Sequence, residues 1–142
     1  MTMMQKINIA ALVSGLAAFG WYLARVIPSF IESGADAAWK WPMATSLIGF
    51  VVLLVVASIA IAVRDEGIRD GAADTEDERD RRAERRGETW AAHVVQASVF
   101  LALALMFLDQ PTFWIANTLY VGVMLGGAAG LLIRLMGGQA DG

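Results

Sequence analysis

The sequence predicts an all-α integral membrane protein, a four-helix bundle in which residues 1–142 form a single membrane domain. The 142-residue chain is 57% hydrophobic and has a mean hydropathy of +0.55, an apolar balance that soluble domains rarely reach. Four segments are each apolar over about 20 residues, the length of helix that crosses a hydrocarbon core of about 30 Å. Tryptophans lie near the ends of these segments, as expected at a membrane interface.

The first two predicted spans cover residues 7–27 and 43–63. Pro28 follows the first, and proline disfavours a helical conformation in the residue before it. Lys6 would suit the start of a signal peptide, but the apolar run is longer than the roughly 7–15 residues of such a segment, so we expect a retained span. The second span contains no charged residue and no polar stripe, and the chain enters it through Trp41-Pro42.

The third and fourth predicted spans cover residues 90–108 and 112–136. Only Asp109-Gln110-Pro111 separates them, so the two helices must form a tight antiparallel hairpin. Pro111 lies where the start of a helix tolerates proline.

The segment of residues 64–89, between spans two and three, holds most of the charge. Residues 64–88 contain seven of the eleven basic and ten of the fourteen acidic residues. Thr75 and Glu78 have the spacing of a capping box, which predicts a short charged helix over residues 76–86. We expect Gly87 to break or bend this helix before span three begins.

The distribution of lysine and arginine predicts the orientation. Nine of the eleven basic residues lie on one side of the membrane if both termini are cytoplasmic, and only Arg25 and Lys40 lie on the other. Because cytoplasmic loops carry an excess of such residues, we expect a multi-pass protein of the cell membrane with both termini and residues 64–89 inside.

Two stretches resemble a known group of proteins. One is the charged run Asp77-Glu78-Arg79-Asp80-Arg81-Arg82, followed by Arg85-Arg86-Gly87. The other is Phe113-Trp114-Ile115-Ala116-Asn117-Thr118-Leu119-Tyr120. Together they resemble small four-span proteins of the bacterial inner membrane that have no assigned function and an Asp-Glu-Arg-Asp signature in a cytoplasmic loop. Members are often encoded beside small helix-turn-helix regulators, so the resemblance implies a cytoplasmic protein partner.

Glycines spaced four apart in span four predict close helix packing. Gly122, Gly126 and Gly130, which we call the glycine face, lie on one side of a helix and let another backbone approach. The partner is either span one, through small residues such as Gly15, or span four of another subunit in a homo-oligomer.

Few polar residues fall within the spans. His93 and Gln96 share one face of span three, and Asn117 lies in span four. His93 suits a proton relay, a pH sensor or a haem ligand, but also a histidine that is merely hydrogen-bonded or faces interfacial water. No carboxylate lies in the middle of a span, which argues against a proton- or cation-coupled exporter.

These features favour a non-enzymatic membrane protein that needs no metal or cofactor. The sequence has no cysteine, no nucleophile–base pair and no metal-ligand cluster, and a net charge of −3 argues against direct nucleic-acid binding. We expect the charged loop to engage a cytoplasmic protein or lipid head groups of the bilayer through Arg79, Arg81, Arg82, Arg85 and Arg86. The alternative is a small oligomeric channel or transporter.

Overall fold

The computed structural model of the chain describes residues 3–66 and 78–137. It contains four long helices: α1 Met3–Ser33, α2 Lys40–Glu66, α3 Glu78–Phe107 and α4 Thr112–Gly137. A single 3₁₀ turn, Gly34–Asp36, follows α1. All four helices are long and apolar enough to cross a membrane. The predicted all-α fold with four membrane-length helices is therefore confirmed.

Helix α1 does not end at Pro28. The helix runs through the proline and continues to Ser33. Proline removes only one backbone hydrogen bond, and a membrane helix tolerates this loss when neighbouring segments restore the polar contacts. The chain leaves the helix at Gly34, whose φ of +59° is a left-handed conformation suited to glycine. The side chain of Ser29 then accepts a hydrogen bond from the Ala38 amide at 2.9 Å, which ties the connector back to the helix.

The separate short charged helix expected between spans two and three is not present in the described residues. Residues 78–86 are instead the first turns of α3, which continues through Gly87 into the membrane-length segment. The proposed capping residue Thr75 lies outside the described residues. Gly87 is buried against α4, and this contact holds it in the helix despite the roughly 1 kcal/mol by which glycine disfavours a helical conformation.

A tight turn joins α3 to α4. The Gln110 amide donates to the Leu105 carbonyl at 3.0 Å, and the Asp109 amide donates to the Met106 carbonyl at 3.1 Å. With a φ of +50° at Asp109, this is a Schellman motif in which aspartate occupies the usual glycine position. Pro111 follows and cannot continue the first helix.

The helices pack side by side in the order α2, α1, α4, α3. Among the described residues, α2 packs along α1, α1 along α4, and α3 along α4 alone. The aromatic core lies between α1 and α4, toward the two short connections. There the Phe30 ring stacks on Phe113 at 5.3 Å, and Tyr22 meets Tyr120 edge-on at 4.6 Å.

Candidate functional site at the charged end of the helices

The end of the bundle at which α3 begins and α4 ends carries most of the charge in the described residues; we call it the charged end. At 1.5 Å per residue the 30 residues of α3 span about 45 Å, whereas a hydrocarbon core is about 30 Å thick. If Phe107 marks one boundary of the hydrocarbon, the other falls near Glu88. The first ten residues of α3 then extend beyond the hydrocarbon.

Two glycines bring α3 and α4 into backbone contact at this end. A methyl group added at Gly87 would lie 2.5 Å from the Gly130 carbonyl oxygen and 3.0 Å from Cγ of Arg134. A methyl group added at Gly130 would lie 2.9 Å from the Gly87 carbonyl oxygen. Neither position has room for a side chain, so glycine at both positions allows α3 to contact α4 next to the charged start of α3.

Arg134 joins the two helices one turn beyond this crossing. Its Nη2 atom lies 3.2 Å from a carboxylate oxygen of Glu88, and its Nη1 atom lies 3.8 Å from one of Glu84. The guanidinium is largely covered, and its buried Nε atom has no hydrogen-bond partner among the described residues. One arginine of α4 thus balances two acids on the α4-facing side of α3.

The predicted interaction arginines lie in this same part of α3. Arg82, Arg85 and Arg86 are exposed. At about 100° per residue, Arg85 lies about 160° around the helix from Gly87, on the side away from α4. Arg79 and Arg81 are within the helix, but the structure does not describe their side chains.

The glycine face packs within the chain, but not against α1 as one alternative held. A side chain at Gly126 would meet the Ala91 carbonyl oxygen at 2.9 Å, and one at Gly122 would overlap Ser98, so the partner is α3. Gly15 lies elsewhere, on α1, where an added methyl group would lie 3.6 Å from the ring of Phe50 in α2. Since α3 covers the glycine face, this face is not available to span four of another subunit.

Asn117 belongs to a buried polar cluster that the sequence did not reveal. The Tyr22 hydroxyl donates to Oδ1 of Asn117 at 2.5 Å, and Nδ2 of Asn117 donates to the Phe113 carbonyl at 2.8 Å. The hydroxyl groups of Tyr120 and Ser46 also share a hydrogen bond. These bonds connect α1, α2 and α4, and they satisfy polar groups that would otherwise face apolar surroundings.

His93 and Gln96 lie apart from this cluster. Both are exposed on α3, and Gln96 lies about 160° around the helix from Ser98, which faces α4. The described part of the chain does not bring these two side chains together with Asn117, so the three predicted intramembrane polar residues do not share one site.

The link from Arg134 to Glu84 and Glu88 was missed from the sequence, although two signals pointed to it. Arg134 continues the four-residue spacing of the glycine face. Glu84 and Glu88 are also four apart, a spacing at which like charges destabilise a helix unless a cation compensates them.

Residues 3–66 and 78–137 contain no group of three or more His, Asp or Glu side chains placed to hold a metal ion. A cavity of about 490 Å³ lies at the opposite end from the charged end, between the α1–α2 connector and the start of α4. Asp36, Trp39, Lys40 and Phe113 are among its lining residues.

Comparison with protein-family models, with curated proteins and with solved structures gives no match for this chain.

Proposed function

We propose that this protein is a non-enzymatic membrane protein whose charged end docks a soluble cytoplasmic protein through the exposed arginines of α3. The observation that carries the proposal is the separation of charge around the start of this helix. Glu84 and Glu88 are engaged by Arg134 on the α4-facing side, while Arg85 and Arg86 lie on exposed positions. The outward side of the helix therefore presents positive charge.

The reach of α3 favours a protein partner over lipid head groups. The polar layer on each side of the hydrocarbon is about 5–8 Å thick. With the boundary near Glu88, Arg85 and Arg86 fall at head-group depth, whereas Arg82 lies about 9 Å beyond the boundary and reaches water. An acidic surface on a soluble protein can meet Arg82 and the residues before it, and anionic lipids can reach only the later arginines.

The attachment of α3 to α4 at this end also suits recognition. The crossing of Gly87 and Gly130 and the ion pairs of Arg134 tie α3 to α4 at Glu84, Gly87 and Glu88. Contacts that are already made in the unbound protein reduce the conformational entropy lost on binding. The cytoplasmic placement rests on the excess of lysine and arginine at this end, and the resemblance to small four-span proteins encoded beside regulators is in keeping with such a partner.

The alternative of a small oligomeric channel or transporter has no comparable support. A pathway needs polar side chains along one line, and the described residues place Asn117 in the α1–α4 core but His93 and Gln96 on the far side of α3.

Co-purification tests the proposal. Tagged full-length protein is isolated in mild detergent from its own host, and accompanying soluble proteins are identified by mass spectrometry. We expect the triple variant Arg82→Glu, Arg85→Glu, Arg86→Glu to lose a protein that the wild type retains. The matched control replaces the same three residues by lysine, which keeps the charge and should keep the partner.

Orientation is checked in the same variants, because charge reversal can also invert a membrane protein. The chain has no cysteine, so single cysteines at Ala73 and Ser33 can report their side of the membrane with an impermeant thiol reagent. If the reversed variant inserts normally and still retains the partner, the docking proposal is wrong. If wild-type protein brings down no protein but binds anionic vesicles in a salt-sensitive way, lipid head groups are the ligand instead.

A further inference from the structure

The side of α3 that faces away from α4 carries polar side chains with nothing to satisfy them. Gln96 and His93 are exposed, and among residues 3–66 and 78–137 neither side chain makes a hydrogen bond. They are about 60° apart around the helix and so share one face. Helix α4 occupies the opposite face, and neither α1 nor α2 packs against α3, so no described segment of the same chain covers them.

The depth of Gln96 makes this exposure unfavourable. It lies eleven residues before Phe107, about 17 Å along the helix, which is near the midplane of a 30 Å hydrocarbon core. From there its short side chain cannot reach the polar layer on either side. An amide that faces lipid without a hydrogen-bond partner is costly, and polar side chains within spans accordingly tend to face another helix.

The same face has the residue spacing of a helix–helix seam. Thr89, Gln96 and Leu103 recur every seven residues, and all three are exposed. Three further exposed residues fall three positions after each of these: Ala92, Val99 and Met106. Alternating spacings of three and four are the pattern by which two helices interlock side chains along their length.

We propose that this face of α3 pairs with α3 of a second copy of the chain, related by a two-fold axis along the membrane normal, with the two Gln96 amides hydrogen-bonded to each other. The occupant is a second copy because a glutamine amide both donates and accepts, so it is complementary to itself. A two-fold axis places each residue of the seam against the same residue or its near neighbours. One polar residue within an apolar seam also fixes the register and the number of helices.

The contact is confined to the membrane part of α3. The seam continues toward the charged end into Arg82 and Arg85, where two copies would bring like charges together. These arginines lie in water or among head groups, where salt screens the interaction of charges more than about 8 Å apart. Their mutual repulsion therefore separates the two helix ends but does not oppose the contact near Gln96. The pairing does not depend on the docking proposed above.

Cysteine cross-linking in native membranes tests the pairing, since the chain has no cysteine of its own. Leu103→Cys places a thiol within about 20° of Gln96 around the helix, and the matched control Leu101→Cys places one about 140° away. Both leucines are exposed, at 44% and 55%. Under copper-phenanthroline oxidation we expect Leu103→Cys to form a covalent homodimer and Leu101→Cys to remain monomeric.

A second measurement isolates the role of the amide. Dimerisation in detergent micelles, followed by energy transfer between labelled copies, should weaken about 3- to 30-fold in Gln96→Leu, the effect of losing one interhelical hydrogen bond. Ala97→Leu, at nearly the same depth but off the seam, should dimerise as the wild type does. The proposal is overturned if the two cysteine variants cross-link equally, if Leu103→Cys links to a protein of different mass, or if Gln96→Leu dimerises as tightly as the wild type.

Discussion

Adding one methyl group to α4 at Gly126 or at Gly127 should affect stability in opposite directions. At Gly126 the methyl group would lie 2.9 Å from the Ala91 carbonyl oxygen and 3.0 Å from a methyl carbon of Val95. At Gly127 it would meet nothing within 4 Å. The two positions are neighbours in one helix, so depth and helix propensity are nearly the same.

The magnitude follows from two contributions. Replacing glycine by alanine in a helix stabilises the protein by up to about 1 kcal/mol, and both variants share this gain. Overpacking costs about 1–3 kcal/mol and applies only at Gly126, because Ala91 presents rigid backbone and must move together with its helix. We therefore expect Gly126→Ala to have a free energy of unfolding about 1–3 kcal/mol below that of Gly127→Ala.

Unfolding by sodium dodecyl sulfate in mixed micelles, followed by helical circular dichroism, measures this difference. The leucine variants at the same two positions should widen it, because the larger side chain fits at Gly127, which faces open space. Equal unfolding free energies for the two alanine variants would show that α3 and α4 are not in backbone contact at Gly126.

Three further predictions use the same unfolding measurement in sodium dodecyl sulfate. Tyr22→Phe removes the hydrogen bond to Asn117 and should lower the free energy of unfolding by about 0.6–2 kcal/mol. A double-mutant cycle with Asn117→Ala should show coupling between the two residues, and additive effects would argue against the bond. Asp109→Gly should stabilise the turn by up to about 1 kcal/mol and Asp109→Val should destabilise it, because φ is +50° at this position. A valine variant more stable than the glycine variant would exclude the left-handed turn. Gly34→Ala should destabilise the protein by about 1–2 kcal/mol, because φ is +59° at Gly34. The control Gly20→Ala, which has open space around it in α1, should not destabilise the protein. Equal effects of the two substitutions would contradict the left-handed conformation at Gly34.

The number and class of the helices could be predicted because the signals are local. A long apolar stretch without charge has few stable alternatives to a membrane-length helix, whatever its neighbours are. The tight hairpin after Phe107 is equally local, since Asp109-Gln110-Pro111 leaves the chain no room for another course. Local signals can also compete: Pro28 and Gly34 both indicate a helix end, and the helix ends at the glycine because proline alone costs one hydrogen bond.

The partners of the helices depend on contacts between residues far apart in the chain. The glycine face indicated close packing, but several spans carry small residues, so spacing alone could not select α3 over α1. Gly87 has the local properties of a helix breaker, yet it stays helical because the Gly130 carbonyl lies against it. Likewise, Arg134 and Glu88 are 46 positions apart, and only the antiparallel packing of α3 and α4 brings their charges within 3.2 Å. Spacing within a helix shows which side chains share a face, but what covers that face depends on the other helices.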